Sequence, residues 1–152
     1  MLTPRVTGFH RGDVIIFTPP SGWPQGKKES PIPYIKRVIG LPGDRVQMKN
    51  DVLYLNGKPV PREKVEDYVG DLDGVAGRWT QYRETLPGGT THTIIERDGD
   101  TAYWDNTQVY EVPPNHYFMM GDNRDNSTDS RVPREQGGVG YVPFENFVGR
   151  AE

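Results

Sequence analysis

The sequence predicts a mostly β fold, with antiparallel sheets forming a core and a smaller β region inserted into it. Two observations carry this expectation. Gly (18) and Pro (14) are plentiful while only 34% of the 152 residues are of the hydrophobic classes, a balance that favours many turns over long helices. The apolar residues also fall in short β-branched and aromatic runs bounded by turn residues, with no heptad and no internal repeat. The length fits one folding unit. Its core is expected over about residues 9–61 and 113–152, with the inserted region at about 62–112.

Composition excludes several classes of function. The net charge is −3 with acidic and basic residues interleaved, so there is no basic stripe to collect phosphates, and no nucleic-acid partner is expected. Cysteine is absent, which removes disulfides, thiolate metal sites and a thiol nucleophile. No run approaches the ~20 apolar residues that a membrane-spanning helix needs. The first residues lack the basic-then-apolar order of a secretory signal. The 152 residues are therefore expected to be soluble.

Along the chain, Gly12-Asp13-Val14-Ile15-Ile16-Phe17 reads as a buried strand between turn residues. Residues 19–33, rich in Pro, Gly, Lys and Ser, read as an exposed loop. Tyr34-Ile35-Lys36-Arg37-Val38-Ile39-Gly40 is a second strand, stopped by the turn Leu41-Pro42-Gly43-Asp44. Arg45-Val46-Gln47-Met48 and Asp51-Val52-Leu53-Tyr54-Leu55 alternate about Lys49-Asn50, and Asn56-Gly57 is a hairpin signal into Lys58-Pro59-Val60, so this stretch is an antiparallel meander. Residues 62–111 are less regular, but Trp79-Thr80-Gln81-Tyr82, Thr91-His92-Thr93-Ile94-Ile95 and Tyr103-Trp104 predict further short strands. His116-Tyr117-Phe118-Met119-Met120 is a strand that runs into residues 121–131, and Tyr141-Val142-Pro143 follows a Gly-rich stretch.

Two places could carry chemistry. Lys36 lies inside an apolar strand, where burial of an unpaired ammonium costs several kcal/mol. Burial lowers a lysine pKa by up to ~3–5 units, and a neutral amine is a general base towards a hydroxyl. Simple alternation offers the other placement, with Lys36 facing solvent and Ile35 inside. Residues 121–131 hold three aspartates, two arginines, two asparagines and two serines. Such a segment is either a turn braced by side-chain bonds and Arg–carboxylate forks, or a rigid loop that sets Ser127 or Ser130 beside a reactive group. His10, His92 and His116 show no metal-ligand spacing and no carboxylate pattern, and read as structural or surface residues. No elbow marks a Ser-His-Asp enzyme. No metal or cofactor is expected.

Arg11-Gly12-Asp13-Val14-Ile15-Ile16-Phe17, then Tyr34 to Asp44, then Gly121 to Arg131 resemble three ordered motifs of the bacterial type I signal peptidases, the Ser/Lys-dyad S26 peptidases. With Gly140-Tyr141-Val142-Pro143 the resemblance spans nearly the whole chain. It implies a signal-peptidase-like β core and a serine endopeptidase that removes N-terminal signal peptides from secreted preproteins through an acyl-enzyme. By the same resemblance Lys36 is the general base and Ser127 orients it. Asp129 with Arg131, and Asp122 with Arg124, correspond to supporting charge pairs, and Ile16 and Ile35 would sit near the substrate pocket. The implied partners are signal peptides and, in a full-length parent, the cytoplasmic membrane, with this domain on its outer, periplasmic face.

One part of the pattern is missing. The Ser-Met-x-Pro segment that carries the nucleophile upstream of Arg11-Gly12-Asp13 does not occur, and Met1-Leu2-Thr3-Pro4 is a partial echo without the serine. The expectation is a truncated peptidase domain, inactive by itself, whose oxyanion donors are also unaccounted for. The alternatives are a noncatalytic domain that binds extended peptides by strand addition on the same scaffold, and a Ser/Lys peptidase of conjugation systems.

Overall fold

The computed structural model describes residues 9–19, 32–72, 74–96, 105–124 and 128–151. Most of the expected loop at residues 19–33, and Tyr103-Trp104, lie outside them. The fold is mostly β and antiparallel, as the alternation and turn content predict.

A five-stranded sheet carries the site. Its members, β1 (Val14–Phe17), β2 (Tyr34–Gly40), β11 (His116–Met120), β12 (Val142–Pro143) and β13 (Phe147–Arg150), lie in the order β12-β11-β2-β1-β13. β1 sits between β2 and β13, with Ile15 opposite Lys36 on one side and Arg150 on the other. β13 has no counterpart in the sequence reading, because its four residues end in Gly-Arg and signal a strand only through pairing with β1 at the other end of the chain.

A second sheet, β10-β3-β4-β5, contains the meander β3 (Arg45–Lys49), β4 (Val52–Leu55) and β5 (Lys58–Pro59), with β10 (Tyr110–Glu111) against β3. Its turns follow their residues: Asn50 and Asp51 (φ 46° and 71°), then Asn56 and Gly57 (φ 54° and 83°), take the left-handed values that a tight hairpin requires. The third sheet lies within the less regular stretch. β8 (Val75–Thr85) pairs along its first half with β7 (Tyr68–Leu72), and along its second half with β6 (Arg62–Lys64) on one edge and β9 (Thr91–Glu96) on the other.

Two apolar clusters fill the interior, and the pleat of β2 and β11 feeds both. Ile39, Phe118 and Met120 enter a cluster with Val46, Met48, Leu53 and Tyr110. Val38 and Met119 enter the other, with Ile15, Phe17, Val142 and Phe147. Successive side chains of a strand point to opposite faces, so these two strands form a wall shared by both clusters. No helix among the described residues is long and apolar enough to cross a membrane.

Candidate active site

Directly opposite residues of an antiparallel pair share a face. Lys36 therefore lies on the face of Ile15, with Tyr34 and Val38 beside it, a face packed on the second cluster. Ile35 points the other way, opposite Ile16, and is 58% exposed. Of the two placements open to alternation, the structure takes the one with Lys36 turned inward. The solvent-facing lysine with Ile35 inside is overturned, because the apolar packing of Ile15 and Val38 fixes which face of β2 is covered. The Lys36 Nζ is 5.9 Å from the centre of the Tyr34 ring. Burial pushes its pKa below the ordinary lysine value, and Arg131 adds to this while Asp129 and Asp122 oppose it. The amine is thereby biased towards its neutral form.

The segment after β11 is closed on itself by one buried carboxylate. Asp129 Oδ1 accepts from Arg131 Nε (2.9 Å) and the Arg131 amide (3.1 Å). Its Oδ2 accepts from Arg131 Nη2 and the Gly121 amide, both at 3.0 Å. Arg131 Nη2 also donates to the Arg124 carbonyl at 3.0 Å. Burial alone would raise the Asp129 pKa, but the Arg131 guanidinium outweighs it and holds the carboxyl below its usual range. Ser130 is committed to β11: its Oγ accepts from the Met119 amide at 2.8 Å while its own amide donates to the Met119 carbonyl. Ser127, the other serine named from the sequence, lies outside the described residues.

Asp129 and Arg131 pair as the resemblance implies; Asp122 and Arg124 do not pair with each other. Asp122 takes a two-point fork from Arg37, Nε to Oδ1 at 3.0 Å and Nη2 to Oδ2 at 2.8 Å. Its Oδ1 also lies 3.2 Å from His92 Nδ1. Arg124 turns to Glu84, with Nη2 2.7 Å from Oε1 and Nη1 3.2 Å from Oε2. His92 Nε2 is 2.8 Å from the same Glu84 Oε1. Burial would raise the Asp122 pKa, but the bonds from His92 and Arg37 hold it well below the carboxylate range. Glu84 is likewise raised by burial and lowered further by Arg124 and His92, to about 2.

The sequence does not single out Arg37, Glu84 and His92 as site residues. Arg37 carried a usable signal, a second cation next to Lys36 in an apolar strand. Glu84 and His92 are cross-strand partners in the β8–β9 hairpin, so a register drawn through Pro87-Gly88-Gly89 would have set a carboxylate against an imidazole. Their bonds to residues 122 and 124 reach 30 and 40 positions along the chain, and nothing local announces them.

A mostly β scaffold thus sets a desolvated lysine near a buried Asp–Arg fork. The family model described as "Signal peptidase, peptidase S26" matches residues 1–152, and the chain belongs to that family. It is 42% identical over 151 residues to a signal peptidase I of Rickettsia typhi (strain ATCC VR-144 / Wilmington), a match covering 93% of this chain and 50% of the relative. A signal peptidase I of Rickettsia prowazekii (strain Madrid E) is 40% identical over the same shares. The crystal structure of a signal peptidase I from Enterococcus faecalis V583 is similar with a TM-score of 0.52 and 25% identity, over 97% of this chain and 99% of that one. The chain spans about half the length of the curated relatives it matches.

Proposed function

We propose that the full-length protein is a membrane-bound serine endopeptidase of the signal peptidase I type, which removes N-terminal signal peptides from secreted preproteins on the outer face of the cytoplasmic membrane. Lys36 is its general base. The observation that carries this reading is the half-buried Lys36, whose pKa is lowered chiefly by desolvation at a strand position facing the apolar interior.

In this reading the neutral Nζ takes the proton of a serine hydroxyl as the oxygen attacks the scissile carbonyl. The resulting ammonium returns the proton to the leaving amine, and the same amine then activates water against the acyl-enzyme. Ser127 orients the Nζ, and the Asp129–Arg131 fork keeps the segment rigid around it. Ile16 and Ile35 share a face at the substrate side, where Ile35 is exposed and apolar, which suits the small side chains before a signal-peptide cleavage point. β11 pairs with β2 from Arg37 to Gly40, while β1 pairs with it from Tyr34 to Arg37. No described strand takes the other edge of β2 at Tyr34 and Ile35, and an extended substrate can add there.

The nucleophile of this reading belongs to a Ser-Met-x-Pro segment that the 152 residues do not contain; Ser21, Ser30, Ser127 and Ser130 lie in other contexts. In this reading the 152 residues alone should show no cleavage of a signal-peptide substrate. The test is cleavage of a signal-peptide substrate by the full-length protein in detergent. Dependence on both the upstream serine and Lys36 supports the dyad. Peptide binding without cleavage shifts the reading to a noncatalytic domain on this scaffold.

A further inference from the structure

His92 of β9 is 7% exposed, and both its ring nitrogens face carboxylate oxygens: Asp122 Oδ1 at 3.2 Å and Glu84 Oε1 at 2.8 Å. An ionised carboxylate only accepts hydrogen bonds, and a neutral imidazole has one N–H. A neutral His92 would set a lone pair against one of the two oxygens; an imidazolium donates to both. The groups that face it are Glu84 from β8 and Asp122 from the segment after β11. Arg124 stands behind the first and Arg37 of β2 behind the second. Charges thus alternate along Arg37, Asp122, His92, Glu84 and Arg124.

This row fixes the beginning of the segment that carries the Asp129–Arg131 fork. β9 also grips it through the backbone, with the Ile95 amide donating to the Asp122 carbonyl (2.9 Å) and the Arg124 amide to the Ile95 carbonyl (3.0 Å). The fork in turn holds the Gly121 amide and the Arg124 carbonyl. Gly121 to Arg124 are therefore clamped from the third sheet on one side and from the residues around Lys36 on the other.

We propose that His92 and Glu84 are positioning residues for the reaction: His92, as an imidazolium between Asp122 and Glu84, fastens the β8–β9 hairpin to residues 121–124 and so holds the Asp129–Arg131 fork in place beside Lys36. This rests on the reading of Lys36 as base. The inserted sheet is then a working part of the site, and the geometry around the base depends on the charge of a residue outside it.

The test begins with the 152-residue chain, labelled for nuclear magnetic resonance, which needs no turnover. Ring-nitrogen correlations are expected to show His92 doubly protonated at pH 7. As pH rises and His92 loses its proton, at a midpoint above 6.5, the amides of Gly121, Asp122 and Arg124 and the Lys36 Cε signal should shift with that same midpoint. In His92→Gln the shared midpoint should vanish while the separate Lys36 titration stays. A single neutral tautomer at pH 7 overturns the proposal, as does a His92 titration that leaves residues 121–124 and Lys36 unmoved. In the full-length protein His92→Gln should lower kcat about tenfold with KM within about twofold. An unchanged kcat overturns the positioning role. Failure of the dyad reading itself shows separately, as cleavage that survives Lys36→Met.

Discussion

Lys36 and Arg37 are adjacent in β2, yet the pleat sends them to different surroundings. Arg37 takes a two-point fork to Asp122; Lys36 lies along Ile15, Val38 and Tyr34, where burial disfavours its charge more than Asp129 and Asp122 favour it. Desolvation outweighs the attraction of Asp129 and Asp122, so folding does not favour the charged form of Lys36. Lys36→Met, which keeps the stem and removes the charge, is expected to leave the melting temperature unchanged or raised, and to lower the full-length protein's kcat by roughly 10³-fold or more. A large fall in melting temperature would instead assign Lys36 a structural role. The pH dependence follows from the same shift. With Lys36 as the proposed base, catalysis would need the neutral amine, so kcat/KM should fall as pH drops through the Lys36 pKa, which lies below 10.5. For stability the sign is also set: between the folded and unfolded pKa values the unfolded chain holds more protons, so Lys36 makes stability rise with pH across that window. Melting curves of wild type and Lys36→Met, compared across alkaline pH, should differ by that rise.

At the scale of elements, turns separate conformational from steric demands. Gly57 closes the β4–β5 hairpin at φ 83°, and a Cβ there meets nothing within 4 Å. Gly57→Ala should therefore cost only the left-handed backbone penalty, about 1–2 kcal/mol. Gly12 leads into β1 at φ 99°, but its Cβ would come within 2.6 Å of Thr90 Cγ2 in the turn between β8 and β9. Gly12→Ala adds a clash to the strain and should cost on the order of 3 kcal/mol. Thr90→Ala should recover part of that in a double-mutant cycle; an additive cycle would show that the two turns do not touch. Contacts of this kind explain which elements the sequence announces. The Asn56-Gly57 hairpin and the strands around Ile15, Val38 and Phe118 follow from alternation and turn chemistry a few residues wide. β13 and the grip of β9 on residues 122–124 depend on partners far along the chain, so no local pattern declares them. The same division runs through the site: Lys36 is visible as a cation in an apolar run, whereas Glu84 and His92 become legible only once the hairpin register is known.

For the whole molecule, the decisive feature is that β2 and β11 supply side chains to both apolar clusters, while the His92–Asp122 and Arg124–Glu84 contacts join the third sheet to the segment after β11. Neither cluster can come apart without exposing the wall that the other shares, so unfolding should be a single cooperative transition at neutral pH. Acid acts on the ionic joints first. The Glu84 carboxyl is held at about 2, and those of Asp122, Asp129 and Asp44 below their ordinary values. A carboxylate depressed in the folded state contributes stability above its unfolded pKa, roughly 4, and loses it as pH falls towards the folded value. His92 has the opposite sign: its pKa is raised, so its contribution is complete below about 6.5 and fades as pH rises through the folded value. Stability should therefore be greatest from about pH 5 to near neutrality and fall by a few kcal/mol towards pH 3. Urea titrations followed by far-ultraviolet circular dichroism and by tryptophan fluorescence, to which Trp79 of β8 contributes, can check both claims. The two probes should coincide at pH 7, and the midpoint should drop on acidification; an early fluorescence transition at pH 7 would mean that the third sheet melts independently of the other two, and an acid-insensitive midpoint would mean that the ion pairs do not hold it.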